Sequence, residues 1–244
     1  SGRTDICSNE LQVFSRRIKI IIDLNMQLFL DTADVQQIEQ RFSSGLIAGV
    51  TTNPTLIKKS GKRPTDVYKK LVDIGVEDIS MEVVGADSRS LVKQGLNLID
   101  QYGSAATIKL PCSVDGLKAC NRLTDHGVRV NMTLVFSVSQ AILCSIAGAT
   151  YVSPFIGRMD DNSLDGLGLI RDIAGLFRSK NVNTKVLAAS VRDVSSVGKA
   201  FEYGADICTI PVSVYDKMSS HVLTAAGIEQ FNSDWNDTMV KTGL

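Results

Sequence analysis

The feature that most constrains the fold is an alternation of β-rich runs with helical runs along almost the whole chain. The β-rich runs lie at 27–31, 48–53, 78–84, 106–111, 128–135, 151–156, 185–190 and 205–211. Between them, helical periodicity is present at 34–44, 64–74, 87–101, 114–126, 137–147, 164–180 and 193–203. Five helical runs are followed by a glycine suited to a left-handed helix end, namely Gly45, Gly75, Gly127, Gly148 and Gly204. Such alternation predicts parallel strands joined by crossover helices.

The length of the chain favours one arrangement of these strands. A (β/α)₈ barrel takes about 250 residues, and this chain has 244. The competing open, doubly wound sheet favours a glycine-rich first turn, but the candidate "DGLGL" at 165–169 lacks the third glycine and follows no strand. We predict one (β/α)₈ barrel domain over residues 26–244, with an additional amphipathic helix at 225–241. Residues 1–25 fit no repeating unit, and we interpret them as an N-terminal extension, either non-native or disordered.

Composition narrows the classes of partner and cofactor. The net charge of +0 gives no indication of nucleic acid or an anionic membrane as a partner, and no apolar stretch approaches the length of a membrane span. The two histidines are too few for a histidine-rich metal site, so we expect no metal and no cofactor. Five scattered cysteines without a C-x-x-C motif predict reduced thiols and a cytoplasmic location.

Side chains able to do chemistry gather at the carboxyl ends of the predicted strands, where barrel enzymes carry their active sites. They are Asp31, Asn53, Glu82, Lys109, Thr133, Phe155, Arg158, Ser190 and Arg192. Taken singly, several have a structural explanation: Asp31 fits a helix cap, Asn53 fits a turn, and the arginines fit surface ion pairs. Taken together, they predict an active site. The Ser-x-Arg after the seventh strand also lies where barrels often bind phosphate.

Lys109 indicates the kind of chemistry, because it interrupts the otherwise apolar run "ATIKLP". Only a neutral amine attacks a carbonyl, and a free lysine with a pKa of about 10.4 is about 0.04% neutral at pH 7. Burial that lowers a lysine pKa by about 3 makes roughly a third of the amine neutral. Without a cofactor motif, these residues predict a Schiff base with a ketone. One carboxylate would move the proton at the breaking carbon–carbon bond, and another, with a hydroxyl, would hold the water for imine exchange.

Six segments resemble, in order, those of the small transaldolases, the short-chain branch shared with the fructose-6-phosphate aldolases. They are "FLDTAD", "AGVTTNPTLIKKSG", "TIKLPCSVDGLKA", "NMTLVFSVSQAILCSIAGATYVSPFIGRMDD", "LAASVRDV" and "GADICTIPVSV". The resemblance covers residues 26–241. It implies a (β/α)₈ barrel with Lys109 as the Schiff-base lysine and Asp31 as the acid and base for carbon–carbon cleavage. It also implies that Glu82 and Thr133 position the proton-shuttling water.

The resemblance further implies how substrate is held. Asn53 would bind the dihydroxyacetone part, while Arg158, Ser190 and Arg192 would face the sugar phosphate. The implied reaction is transfer of a dihydroxyacetone unit from sedoheptulose 7-phosphate to glyceraldehyde 3-phosphate, or the reverse, in the pentose phosphate pathway. Family members often form pentamers or decamers in which the C-terminal helix contacts a neighbour, so a homo-oligomer is expected.

Two positions separate the activities within this family. Its aldolases are expected to carry Gln at position 82 and Tyr at position 155, whereas this chain has Glu82 and Phe155. A tyrosine hydroxyl can help to protonate and release the three-carbon unit, and a phenylalanine cannot, so both residues favour a transaldolase. Cys112 and Ser113 depart from the bulkier apolar residue and the threonine expected there, and Cys112 has no functional interpretation.

Three other functions stay open at this point. The first is a lyase that cleaves fructose 6-phosphate without transferring the product. The second is a barrel that binds phosphate or assembles without catalysis, against which the complete polar set argues. The third is a metal-dependent epimerase of sugar phosphates, for which the histidines are missing.

Overall fold

The computed structural model describes residues 26–242, in which eight parallel strands close into a barrel in chain order. The strands are β1 (Gln27–Asp31), β2 (Ile47–Thr51), β3 (Ile79–Glu82), β4 (Ala106–Pro111), β5 (Val130–Val135), β6 (Tyr151–Pro154), β7 (Lys185–Ala188) and β8 (Ile207–Ile210). The predicted barrel is confirmed. The interpretation of residues 1–25 falls outside the described residues.

The described part of the chain also contains eleven α-helices. They are α1 (Val35–Phe42), α2 (Pro54–Ser60), α3 (Pro64–Ile74), α4 (Ser88–Tyr102), α5 (Val114–Asp125), α6 (Val138–Ile146), α7 (Ile156–Asp160), α8 (Gly166–Ser179), α9 (Val194–Glu202), α10 (Val212–Met218) and α11 (Val222–Thr242). The additional C-terminal helix predicted at 225–241 is confirmed as α11. Across residues 26–242, every helix is too short or too polar to cross a bilayer.

Local sequence signals fix where many helices start and stop. Seven helices begin at a side chain that accepts a hydrogen bond from the first turn: Asp34, Asn53, Asp87, Ser113, Ser137, Asp165 and Asp193. The five glycines predicted to end helices all adopt positive φ, between 72° and 98°. Glycine reaches this region without a steric penalty, so each turn back toward the sheet is short.

The sequence patterns missed three short helices, α2, α7 and α10. Each starts at or just after the end of a strand, and all three overlap or directly follow a run that the sequence predicts as a strand. Pro54 illustrates the cause, because proline is as compatible with the first helical position as with a turn. Helices α2 and α7 matter for function, since they lie over the carboxyl ends of β2 and β6.

The amino end of the barrel is sealed by a polar cluster inside an apolar layer. Thr107 Oγ1, Tyr151 OH and Arg129 Nη1 each donate a hydrogen bond of 2.7 Å to the buried Asp78 carboxylate. Burial raises the pKa of Tyr151, so its hydroxyl stays protonated as a donor. The Phe29 ring packs edge-on against Tyr151, with 6.3 Å between ring centres. The amino half of the barrel is therefore filled, and the opening lies at the carboxyl end of the strands.

Candidate active site

A cavity of about 410 Å³ opens at the carboxyl ends of the strands, and we call it the mouth cavity. Eight of the nine predicted site residues line it: Asp31, Asn53, Glu82, Lys109, Thr133, Phe155, Arg158 and Ser190. The lining comes from the strands themselves and from the first residues after them. The polar side chains that were scattered over 160 residues of sequence therefore surround one space.

Lys109 lies inside the barrel on β4, with its side chain only 6% exposed. Its Nζ lies 3.0 Å from the backbone carbonyl oxygen of Thr52 and 3.3 Å from Glu82 Oε2. Glu82 is the register partner of Lys109 on β3. An amine at this depth is costly unless it is hydrogen-bonded, and these two oxygens supply that bonding while leaving the group at the cavity surface.

Asp31 ends β1 and lines the same cavity from a different strand, beside its register partner Thr51. Thr51 Oγ1 donates a hydrogen bond of 2.8 Å to Asp31 Oδ1, and it lies 2.6 Å from Thr209 Oγ1. Burial raises the pKa of Asp31 above 3.8, against the opposing effects of the Lys109 charge and the Thr51 hydrogen bond. A carboxyl group with a raised pKa and a place in the cavity is suited to taking up and returning a proton.

Thr133 has an unusual environment on β5. Its Oγ1 is buried and has no hydrogen-bond partner, and it is the one such side-chain nitrogen or oxygen found among residues 26–242. A buried polar atom without a partner calls for an explanation. Because Thr133 lines the mouth cavity, its hydroxyl is available to a molecule that enters there.

Four further polar residues on the strands line the mouth cavity and were missed from the sequence: Thr51, Asn131, Ser153 and Thr209. Asn131 accepts a hydrogen bond of 2.6 Å from Ser153 Oγ and donates one of 3.0 Å to Ser80 Oγ. The signal that could have found them is the period of two along a strand. Asn131 precedes Thr133 by two residues, and Ser153 precedes Phe155 by two, so each pair shares an inner face.

Asn53 reaches the mouth cavity from a helix start instead of from a strand. Its Oδ1 accepts a hydrogen bond of 2.9 Å from Leu56 N, and its backbone is extended, with φ of −156°. Pro54 then occupies the first helical position of α2. The turn and binding interpretations of Asn53 are therefore compatible, because capping fixes the amide at the cavity edge.

Phe155 and Arg158 form the rim on the β6 side. The Phe155 ring packs edge-on against Phe136, with 5.9 Å between ring centres, and the Arg158 guanidinium lies 4.9 Å from the Phe155 ring centre. Such a contact between a cation and a ring holds an exposed arginine near the cavity. The rim therefore presents one apolar face and one positive charge.

Ser190 lies next to this rim and has a strained backbone, with φ of 59°. A positive φ in a residue other than glycine is uncommon and is often found at functional sites. Gly157 N donates a hydrogen bond of 3.0 Å to Ser190 O, and a Cβ on Gly157 would lie 2.3 Å from that same oxygen. Glycine at position 157 thus allows α7 to approach the end of β7.

Arg192 is the predicted site residue that the structure places outside the cavity lining. Its side chain is 56% exposed, and its Nη2 lies 2.5 Å from Asp161 Oδ2. This is the surface ion pair that the sequence left open for this residue. A role for Arg192 in phosphate binding stays a prediction.

Residues 28–242 match the family model described as transaldolase/fructose-6-phosphate aldolase. A probable transaldolase of Anaeromyxobacter sp. (strain K) is 45% identical over 86% of this chain and 96% of its own length. One from Geobacter sulfurreducens is 46% identical over 86% of this chain and 98% of its own, and one from Nitrosopumilus maritimus is 45% identical over 86% and 95%. With a family match over most of the barrel, the chain belongs to the transaldolase/fructose-6-phosphate aldolase family.

Proposed function

We propose that this protein is a transaldolase that forms a Schiff base at Lys109. It transfers a dihydroxyacetone unit between sedoheptulose 7-phosphate or fructose 6-phosphate and glyceraldehyde 3-phosphate or erythrose 4-phosphate, as in the pentose phosphate pathway. The observation that carries the proposal is the buried Lys109 amine at the surface of the mouth cavity, 3.3 Å from Glu82 and in the same cavity as Asp31. The relatives named probable transaldolase support the same activity.

The residues of the cavity suffice for the chemical steps. Lys109 Nζ attacks the ketose carbonyl carbon, and the carbonyl oxygen leaves as water to give an iminium ion. Asp31 takes the proton of the hydroxyl at the breaking carbon–carbon bond, whose electron pair moves into the iminium to form an enamine. The aldehyde product leaves and an acceptor aldehyde enters. The enamine attacks it, Asp31 returns the proton, and water releases the new ketose.

Glu82 and Thr133 would hold the water that enters and leaves during imine exchange. Glu82 Oε2 lies 3.3 Å from the reacting nitrogen, and Thr133 Oγ1 has no partner among the described residues. A water between a carboxylate and a hydroxyl has both an acceptor and a donor available. This assignment gives the unpaired hydroxyl of Thr133 a function.

Substrate would bind with its three-carbon part toward Asn53 and its phosphate toward the rim. Arg158 and Ser190 line that rim, and arginine is well suited to a bidentate grip on phosphate. Arg192 lies close behind, since a Cβ on Gly157 would lie 2.6 Å from its Nε. Release of Arg192 from Asp161 would let it take part.

Trapping with borohydride tests the Schiff base. Protein incubated with fructose 6-phosphate and sodium borohydride should gain a covalent mass on Lys109. Trypsin does not cleave after a modified lysine, so the adduct should appear on a peptide spanning residues 94–118. The Lys109→Arg variant should gain no mass, whereas Lys118→Arg, a change at an exposed lysine on α5, should label normally. The absence of an adduct on Lys109 would overturn the proposal.

A fructose-6-phosphate aldolase uses the same intermediate and needs a separate test. Glu82 and Phe155 favour the transferase, because Phe155 offers no hydroxyl to protonate the bound three-carbon unit. Fructose 6-phosphate should therefore turn over slowly alone and rapidly when erythrose 4-phosphate or glyceraldehyde 3-phosphate is added. Equal turnover with and without acceptor would identify a lyase.

We also propose that the protein is a cytoplasmic homo-oligomer, a pentamer or decamer. All four cysteines among the described residues are free thiols, as expected in a reducing compartment. On α11, Ile228, Phe231 and Trp235 are all exposed, and such apolar residues favour contact with another subunit. Sedimentation velocity should give the mass of the oligomer, and Phe231→Asp should lower it. A monomeric wild-type protein would refute this assignment.

A further inference from the structure

Two cysteines lie in contact just behind the mouth cavity. The Cys144 thiol on α6 donates a hydrogen bond of 3.6 Å to Cys112 Sγ, in the residue that follows β4. Cys112 is partly exposed and Cys144 is buried. Neither is among the residues that line the mouth cavity, so the proposed reaction gives them no role.

We propose that Cys112 and Cys144 form a redox-controlled modification site, at which a hydroperoxide converts the two thiols into a disulfide and slows turnover. The Cys112 thiolate attacks the O–O bond of hydrogen peroxide, which gives a sulfenic acid and hydroxide. The Cys144 sulfur then attacks the Cys112 sulfur and displaces the hydroxyl as water. In total, two thiols lose two protons and two electrons, and one peroxide becomes two waters.

The surroundings of the two thiols favour this order of events. Cys112 accepts the hydrogen bond from Cys144, which lowers the pKa of Cys112, and the same hydrogen bond together with burial raises the pKa of Cys144. Burial raises the pKa of Cys120 and of Cys208 to about 12. Peroxide reacts with exposed thiolates, so Cys112 is the first target among the described cysteines and Cys144 is the thiol that resolves it.

A disulfide here would disturb the residues that carry the reaction. The two sulfur atoms must move from 3.6 Å apart to about 2.05 Å. Cys112 N donates a hydrogen bond of 2.8 Å to Thr133 O, and Lys109 lies three residues earlier on β4. The turn that joins β4 to α5 is tightly packed, because a Cβ on Gly116 would lie 1.9 Å from Pro111 O.

A misplacement of about 1 Å can cost an enzyme roughly 100-fold in rate. We therefore expect oxidation to lower kcat at least about tenfold. This effect on turnover rests on the proposed function, whereas formation of the disulfide does not.

Peptide mapping tests the disulfide independently of activity. Trypsin cleaves after Lys109 and Lys118, which separates Cys112, in peptide 110–118, from Cys120. Cys144 falls in peptide 130–158. After peroxide treatment and blocking of free thiols, digestion without reductant should give peptide 110–118 linked to 130–158, about 2 Da below the sum of the two thiol peptides.

The matched variants are Cys112→Ser and Cys144→Ser, with Cys120→Ser as a control at a buried neighbour on α5. The linked peptide should form in wild type and in Cys120→Ser, and in neither of the other two. Sulfinic acid on Cys112 without a linked peptide would overturn the proposal.

Turnover measurements complete the test. Peroxide should lower kcat of wild type and of Cys120→Ser at least about tenfold, and dithiothreitol should restore it. Cys112→Ser and Cys144→Ser should keep their kcat under the same treatment. A linked peptide with unchanged kcat would refute the regulatory effect. If the reduced protein had no transferase activity, the proposed function would fail, and the peptide map would still decide whether the disulfide forms.

Discussion

Lys109 Nζ and Glu82 Oε2 lie 3.3 Å apart because their residues are register partners on the neighbouring strands β4 and β3. Backbone hydrogen bonds between parallel strands hold the two Cα atoms near the strand spacing of about 4.8 Å. The distance between the amine and the carboxylate is therefore set by the sheet and not by a loop. Groups held on rigid elements in this way keep a precise geometry for catalysis.

Glu82→Gln tests the contribution of that carboxylate. The amide keeps the shape of the side chain but cannot take up a proton, so we expect kcat for dihydroxyacetone transfer to fall about 100-fold. Steady-state kinetics with fructose 6-phosphate and an acceptor would measure it. Glu202→Gln, a change on the exposed face of α9, should leave kcat unchanged. An unaltered kcat in Glu82→Gln would remove this residue from the mechanism.

Phe155→Tyr should shift the protein toward cleavage without transfer. The new hydroxyl would lie at the rim of the mouth cavity, where it could protonate the bound three-carbon unit and release it. We expect acceptor-free cleavage of fructose 6-phosphate to rise about tenfold or more. Phe136→Tyr is the matched control, since Phe136 packs against Phe155 without lining the cavity. Equal gains in the two variants would contradict the assignment.

Asp31→Asn should lower kcat and raise the free energy of unfolding. In the proposed mechanism the Asp31 carboxylate moves the proton, so kcat should fall at least about 100-fold. Burial raises the pKa of Asp31, so this carboxyl group ionises less readily in the folded protein than in the unfolded chain and lowers the free energy of unfolding at neutral pH. The neutral amide avoids that cost, so the variant should have the larger free energy of unfolding.

This difference in stability should depend on pH. As the pH falls through the raised pKa of folded Asp31 toward the unfolded value of 3.8, the wild-type carboxyl becomes neutral too. The advantage of Asp31→Asn should therefore shrink over that range and vanish below it. Urea unfolding of both proteins at several pH values would measure the difference. A variant that is less stable than wild type at neutral pH would contradict the prediction.

Gly116→Ala should damage both stability and activity. The new methyl group would lie 1.9 Å from Pro111 O. This oxygen belongs to the backbone at the end of β4, so relieving the clash would also move the strand that carries Lys109. We expect a loss of about 2–3 kcal/mol in the free energy of unfolding, together with a lower kcat. Gly175→Ala on α8 meets nothing within 4 Å and should instead stabilise the protein by about 0.5–1 kcal/mol. Thermal unfolding of the two variants would decide.

Asp78→Ala should destabilise the protein without changing the chemistry. It removes the acceptor of Thr107, Tyr151 and Arg129 at the amino end of the barrel. We expect a loss of about 3 kcal/mol in the free energy of unfolding, because buried donors lose their partner. Asp66→Ala breaks an exposed ion pair with Arg63 and should change stability little. A large fall in kcat of folded Asp78→Ala would show that the two ends of the barrel are coupled.

The barrel could be predicted from the sequence because its alternation is long and regular, with each of the seven predicted helices marked by a capping side chain at its start, a glycine after its end, or both. The three missed helices, α2, α7 and α10, are too short to show helical periodicity. For this reason the strand predicted at 151–156 was too long. In the structure, β6 ends at Pro154 and Ile156 is the first residue of α7. The boundaries of short helices and strands are determined more by tertiary contacts than by the local preference of the residues.

The site was predicted in part for a similar reason. Lys109 and Glu82 are charged residues within apolar strands, and a charge at a position expected to be buried indicates a functional residue. Asn131 and Ser153 do not stand out, because small polar residues are ordinary in strands, and only their inward direction gives them a place in the cavity. The position of Arg192 depended on whether it would find Asp161, 31 residues away in the chain, and no local pattern carries that information.

The register between β3 and β4 also limits how such a protein can change over evolutionary time. A strand slips against its neighbour only by whole residues, and a slip of one residue turns every side chain to the opposite face. A single substitution therefore cannot adjust the distance from Lys109 to Glu82 slightly by shifting one strand against the other. New substrate preferences would have to arise in α2 and α7, which border the cavity and can vary without moving the amine. The separation of Lys109 and Glu82 would therefore be kept among related proteins, while the residues of α2 and α7 around the cavity can vary.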